Sequence, residues 1–185
     1  MIRLKKLPKI EIEFKYKQYR GARVFWDFAN DIPPIELVAG PDSQLWPKRV
    51  KEEIKIFEIW RKFNKKVPLR NLKPTKNLRK FSIEVDTKSL FEYPMGWIKV
   101  HILIPLRYPI QMPHIGEPST DRKFLELVKY WTSGRPFCMP RVVNTWWYRF
   151  KGKAGIAHFL HAYIAFLTIA GRKAKRINIG YYLDL

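Results

Sequence analysis

The chain holds one cysteine, Cys138, in 185 residues. A single thiol excludes an internal disulfide and a multi-cysteine zinc cage. It fits a reducing compartment. Acids are scarce as well: 16 Asp and Glu stand against 36 Lys and Arg, for a formal net charge of +20. Between Glu126 and Asp184 there is no acid at all, while ten bases occur. A metal-dependent nuclease needs clustered carboxylates, and no such cluster is present. A glycine-rich phosphate loop is also missing. The N-terminal bases Arg3, Lys5 and Lys6 are not followed by an apolar run, so no signal peptide is expected. The long apolar stretch from Gly155 to Gly171 is too short for a membrane span and carries His158 and His161. It reads as a buried core helix. The expected setting is cytoplasmic, with no membrane partner.

Apolar and basic residues are what the chain has in quantity. Hydrophobic residues make up 46% and aromatics 15%, enough for a packed core in one domain with an extension. The basic excess is uneven. Arg61 to Lys80 contains nine bases and no acid. Such a field attracts polyanions through counterion release. It also speeds docking of an acidic protein. Lys-rich surfaces occur in thermophile proteins too, but those balance Lys with Glu. This chain does not, so a nucleic acid or an acidic protein surface is the expected partner.

The pattern predicts an α+β domain. Ile10-Glu11-Ile12-Glu13-Phe14-Lys15-Tyr16 alternates like a half-buried strand, and Arg23 to Phe28 reads as a second strand. Residues 1–45 are read as an N-terminal extension, 46–171 as the main domain and 172–185 as a basic tail. Pro47 suits the first turn of a helix. Val50, Ile54, Phe57 and Trp60 form its apolar stripe, widened by Ile56, Ile59 and Phe63. Lys48, Arg49, Lys51, Glu52, Glu53, Lys55 and Glu58 are expected on the wet face. The basic run to Lys80 is expected to be an exposed connection. Phe81, Ile83 and Val85 alternate with polar residues. Ile98, Val100, Ile102 and Ile104 do the same, giving an antiparallel pair of strands. A short helix is expected over about 121–131, and a core helix over 155–171, stopped by Gly171.

One ordered set of motifs goes further. Tyr108, Pro109 and Pro113 form Tyr-Pro-x-x-x-Pro after the second of these strands. Then comes Cys138-Met139-Pro140-Arg141-Val142-Val143-Asn144-Thr145-Trp146, followed by the apolar helix. Helix, meander, Tyr-Pro turn, cysteine, tryptophan and helix in this order resemble the ubiquitin-conjugating enzymes over residues 47–171. The resemblance implies an antiparallel β-meander packed against helices, here with a β extension in front and a truncated C-terminus. It implies that Cys138 carries a ubiquitin-like modifier as a thioester, received from an activating enzyme, with no cofactor at this step. The chain departs from the family in two places near the cysteine. The His-Pro-Asn tripeptide is absent from residues 127–137, and Pro140 stands where the family has aspartate.

Each candidate has a plainer reading beside it. Cys138 is a nucleophile, its thiol pKa lowered by Arg135 and Arg141, or a buried thiol acting as a small hydrophobe. His114 and Asn144 are auxiliary candidates, His114 as general base or oxyanion donor. Tyr108, Pro109 and Pro113 read as a packed turn. His158 and His161 lie one helical turn apart but read as core histidines, so no metal is expected. Lys62, Lys65, Lys66, Arg70, Lys73, Lys76, Arg79 and Lys80, with Arg172, Lys173, Lys175 and Arg176 in the tail, are the candidate contacts to nucleic acid or an acidic partner. The run has no interleaved aromatics, which favours phosphate contact over base reading. The alternative function is therefore an inactive, basic member of the same fold that binds nucleic acid or a large assembly.

Overall fold

The computed structural model describes residues 10–13, 23–26, 32–65, 67–89, 96–116 and 147–171. The protein is α+β. Strands β1 (Ile10–Glu13) and β2 (Arg23–Trp26) pair antiparallel, with Ile10 opposite Trp26. A separate four-stranded antiparallel sheet runs in chain order: β3 (Leu69–Pro74), β4 (Lys80–Asp86), β5 (Trp97–Leu103) and β6 (His114–Gly116). Helix α1 (Trp46–Phe63) precedes this sheet and α2 (Ile156–Gly171) follows it. Among the described residues no helix is long and apolar enough to cross a membrane.

The alternation predicted for β4 and β5 is realised. Phe81, Ile83, Val85, Ile98, Val100 and Ile102 are buried, while their neighbours face outward. The register pairs Ile83 with Val100 and Glu84 with Lys99. The inward residues form one core with Val50, Phe57 and Trp60 of α1 and Ala157, Leu160 and Ile164 of α2. Ile32 and Ile35 join the same core from the irregular segment before α1.

Two expectations need correction. The stretch from Arg61 to Lys80 is not simply an exposed connection, because β3 lies inside it and pairs with β4. Leu69 and Leu72 point into the core and anchor the strand, with a register shift at Arg70–Lys73 where Asn71 takes φ 58°. The polar assignment of α1 was also too simple. Arg49 and Glu53 are fully buried, and Phe63 is 76% exposed. At about 100° of rotation per residue, Arg49 and Glu53 fall on the arc of Ile56 and Trp60. Helical position therefore buries them despite their charge.

The start of α1 is set by local chemistry. Pro47 occupies the first turn, and the Trp46 backbone N–H donates to the Ser43 carbonyl at 2.9 Å. The Trp46 indole donates to the Leu78 carbonyl at 3.1 Å, tying the helix start to the β3–β4 turn. The last turn carries Arg61 and Lys62, which suit the negative end of the helix dipole.

Candidate functional site

The turn between β5 and β6 is anchored from both sides. It contains Tyr108 and Pro109, joined by a cis peptide. Tyr108 is 2% exposed. Its ring packs edge-on against Trp46 at 5.6 Å and tilts against Trp147 at 6.2 Å. The Trp147 indole donates to the Pro109 carbonyl at 2.7 Å. The turn thus holds the start of α1 on one side and the approach to α2 on the other. The reading of Tyr108 and Pro109 as a packed turn agrees with this geometry.

Below the turn lies a buried polar hub that the sequence reading missed. Arg49 donates through Nε to Glu53 Oε1 at 2.8 Å. Its Nη1 donates to the Leu37 and Gly152 carbonyls at 2.8 and 2.9 Å. Its Nη2 donates to the Ala154 carbonyl at 2.9 Å and to the Tyr108 hydroxyl oxygen at 3.3 Å. All five guanidinium N–H donors therefore have acceptors. Glu53 Oε1 also accepts from the Tyr108 hydroxyl. Glu53 Oε2 accepts from the Ile156 backbone N–H at 2.7 Å, at the first residue of α2. Burial raises the Glu53 pKa, against the pull of Arg49, the Tyr108 hydroxyl and the Ile156 N–H. Burial opposes the Arg49 charge too, but Tyr108 and Glu53 outweigh it. Burial, and then Glu53, pushes the Tyr108 phenol well above its ordinary range.

This hub organises rather than reacts. It is closed to solvent and every member is satisfied. It joins four segments: residues 35–40, α1, the Tyr108 turn and the 150–156 approach to α2. The helical-wheel position of Arg49 and Glu53, four apart on the apolar arc, was the available signal for it.

His158 is buried beside the hub and accepts from the Gly155 backbone N–H at 3.1 Å. Burial chiefly, with His161 and Arg49 adding, lowers its pKa to about 3. It is a neutral core histidine, as its apolar helix implied. His161 packs edge-on against Trp60 at 5.9 Å. Among the described residues no group of three or more His, Cys, Asp or Glu is placed to hold a metal ion.

The predicted site residues are distributed. Cys138, Asn144 and Trp146 lie outside the described residues, as do Lys66, Arg172, Lys173, Lys175 and Arg176 and the helix expected over 121–131. His114 opens β6 opposite Leu103, exposed on the outward face of the sheet, and partial burial lowers its pKa. Lys62 and Lys65 stand at the end of α1. Arg70 and Lys73 are on the outward side of β3, and Lys76 is at the β3–β4 turn. Arg79 pairs with Asp42 at 3.2 Å. The densest basic run in sequence is thus divided between the end of α1 and the sheet hairpin.

On the outward sheet face, Arg70 Nε donates to Glu84 Oε2 at 2.6 Å. The same guanidinium stacks over Trp97 at 3.8 Å from the ring centre. The Arg70 hydrogen bond holds the Glu84 carboxyl below its ordinary range. Models of known protein families give no match to this chain, and neither do curated proteins.

Proposed function

We propose that this chain has a ubiquitin-conjugating-enzyme-like fold and carries a ubiquitin-like modifier as a thioester on Cys138. The observation that carries the reading is the order of elements around one core. Helix α1 leads into an antiparallel meander, the Tyr108–Pro113 turn leaves the third strand of that meander, and α2 follows Trp147. The cysteine segment lies between β6 and Trp147. The chain thus leaves the Tyr108 turn through β6 and returns to it at Trp147, whose indole donates to the Pro109 carbonyl.

The chemistry is a transfer between thiols. Cys138 thiolate attacks the thioester carbonyl that the modifier's C-terminus forms with the activating enzyme. A C–S bond to Cys138 forms, the C–S bond to the activating enzyme breaks, and the departing thiol takes a proton. A lysine amine or another nucleophile then attacks the Cys138 thioester and releases the thiol. ATP is consumed at the earlier activation, so this step uses no cofactor. Arg135 and Arg141, beside Cys138 in sequence, favour the thiolate. His114 and Asn144 are the auxiliary groups to test.

The test is a covalent trap with the full chain, ATP and lysate of the source cells. Wild type should gain a thiol-labile adduct of about 8–12 kDa, the size of a small single-domain modifier. Cys138→Ser should hold it as a thiol-resistant ester, and Cys138→Ala should hold none. No adduct on either wild type or Cys138→Ser would remove the reading. A second reading, a basic module that binds nucleic acid, is favoured by the net charge of +20.

A further inference from the structure

In sequence, α1 mixes its charges: four Lys, two Arg and three Glu fall between Trp46 and Phe63. In the fold they are sorted. Glu53 is turned inward and bound by Arg49, Tyr108 and the Ile156 N–H. Glu52 is turned sideways and accepts from the backbone N–H groups of Glu36 and Leu37 at 2.7 and 3.1 Å. Arg49 is buried with its partner. What remains exposed is Lys48, Lys51, Lys55, Glu58, Lys62 and, just past the helix, Lys65. The five within the helix follow one another at steps of three and four, so they form one straight stripe, with Lys65 beyond its end after the non-helical Asn64. At about 100° per residue the stripe lies opposite the buried arc of Arg49, Ile56 and Trp60. From Lys48 to Lys62 it spans about 21 Å along the axis. Among the described residues none of its lysines forms a salt bridge.

Helix energetics are divided over this arrangement: Lys48–Lys51 and Lys51–Lys55 repel, while Glu58 attracts Lys55 and Lys62. Lys48 also stands in the first turn, which contains no acid and where the helix dipole opposes a cation. Lys48, Lys51 and Lys55, none of them in a salt bridge among the described residues, are therefore open to an external anion.

We propose that this stripe is a contact site for the phosphate backbone of duplex DNA. The assignment rests on the nucleic-acid reading and names its surface. Three features choose the occupant. The residues of the row are all charged, the exposed Phe63 lying beside the row rather than in it, and protein interfaces deplete Lys while relying on central aromatic anchors. It offers no stacking platform, which single strands require. Its charges lie in one row along one helix, whereas duplex RNA is recognised by contacts to 2′-OH groups and phosphates spread across its minor groove. A straight row of lysines matches a regular, rigid line of phosphates and carries no base specificity.

The experiment measures binding of the full chain to mixed-sequence duplex DNA across a salt series. Single-stranded DNA and duplex RNA of equal length run in parallel. One variant carries Lys48→Gln, Lys51→Gln, Lys55→Gln and Lys62→Gln. The control carries Lys88→Gln, Lys99→Gln, Arg107→Gln and Arg149→Gln, the same loss of charge at exposed positions outside the candidate contacts. Wild type should prefer duplex DNA. It should weaken about a hundredfold over a fourfold rise in salt, as four neutralised phosphates dictate. The stripe variant should lose most of this affinity and slope at an unfolding midpoint no lower than wild type, while the control keeps most of both. Equal losses from the two variants would assign binding to the general field and overturn the stripe. Preference for single strands or for duplex RNA would overturn the occupant. Absence of nucleic-acid binding by wild type would overturn both the stripe and the reading it rests on.

Discussion

Arg49 and Glu53 meet at 2.8 Å with neither side chain exposed; Arg70 and Glu84 meet at 2.6 Å with 47% and 32% exposed. The chemistry of the two pairs is the same and the contact lengths are close. Their consequences differ because of what surrounds them. The buried pair has been taken out of water, so each unmet donor or acceptor would cost its full desolvation. Its surplus hydrogen bonds go to the backbone of segments far apart in sequence. The exposed pair has water as an alternative partner, and a neighbour, Trp97, to stack on. A short ion pair is therefore structural here only where burial leaves no substitute for it.

The comparison breaks most visibly at Arg49. Arg49→Met should cost about 3–5 kcal/mol in urea unfolding, because Glu53 stays buried without its counter-ion. Adding Glu53→Leu should recover part of that loss but not all. The Leu37, Gly152 and Ala154 carbonyls would still lack their donor. If the single variant unfolds at the wild-type midpoint, the hub does not hold the fold together.

His158 sharpens the same contrast through pH. Its folded pKa lies at about 3, below the ordinary 6.5. A depressed pKa contributes stability above 6.5 that is lost as pH falls toward 3. Its slope approaches about 1.4 kcal/mol per pH unit within that window. Glu53 works in the other direction. Its raised pKa contributes stability below its ordinary 4.5 that is lost as pH rises through the folded value. Unfolding of wild type and His158→Gln between pH 6.5 and 5 should therefore differ in slope, with the variant flatter. Parallel curves would contradict a buried neutral His158.

Gly155→Ala is expected to cost about 1–3 kcal/mol as local overpacking. An added Cβ would collide with Glu53 Oε2 and lie 2.7 Å from Ile35 Cγ1. Thermal unfolding of this variant reports how rigidly the hub is framed. The smallest effect is expected at the outward pair. Glu84→Gln should leave the unfolding midpoint within error, at low and at high salt. A large loss there would erase the distinction between the two pairs.

The strands were legible because one face is wet. Phe81, Ile83 and Val85 alternate with polar neighbours, and period two has no competing explanation. The core helix before Gly171 was legible from its apolar run, and the start of α1 from Pro47. β3 was hidden because Arg70, Lys73 and Asn71 outweigh Leu69 and Leu72 in composition, and because a register shift breaks the alternation. Arg49 and Glu53 were hidden because a charged side chain on a helix is ordinarily exposed. Their place on the helical wheel argued the opposite. The sorting of lysines on α1 could not be read without knowing that Glu52 and Glu53 find inward partners. The motifs around Cys138 are chemical statements from sequence, and the Tyr108 turn is the part of them that lies within the described residues.

The most direct test of the proposed activity is the intact mass of wild-type protein recovered from an activating lysate, before and after thiol treatment. The account predicts one added modifier, attached at Cys138 by peptide mapping and released by thiol. An unmodified mass throughout, or a thiol-stable adduct on another residue, would contradict it.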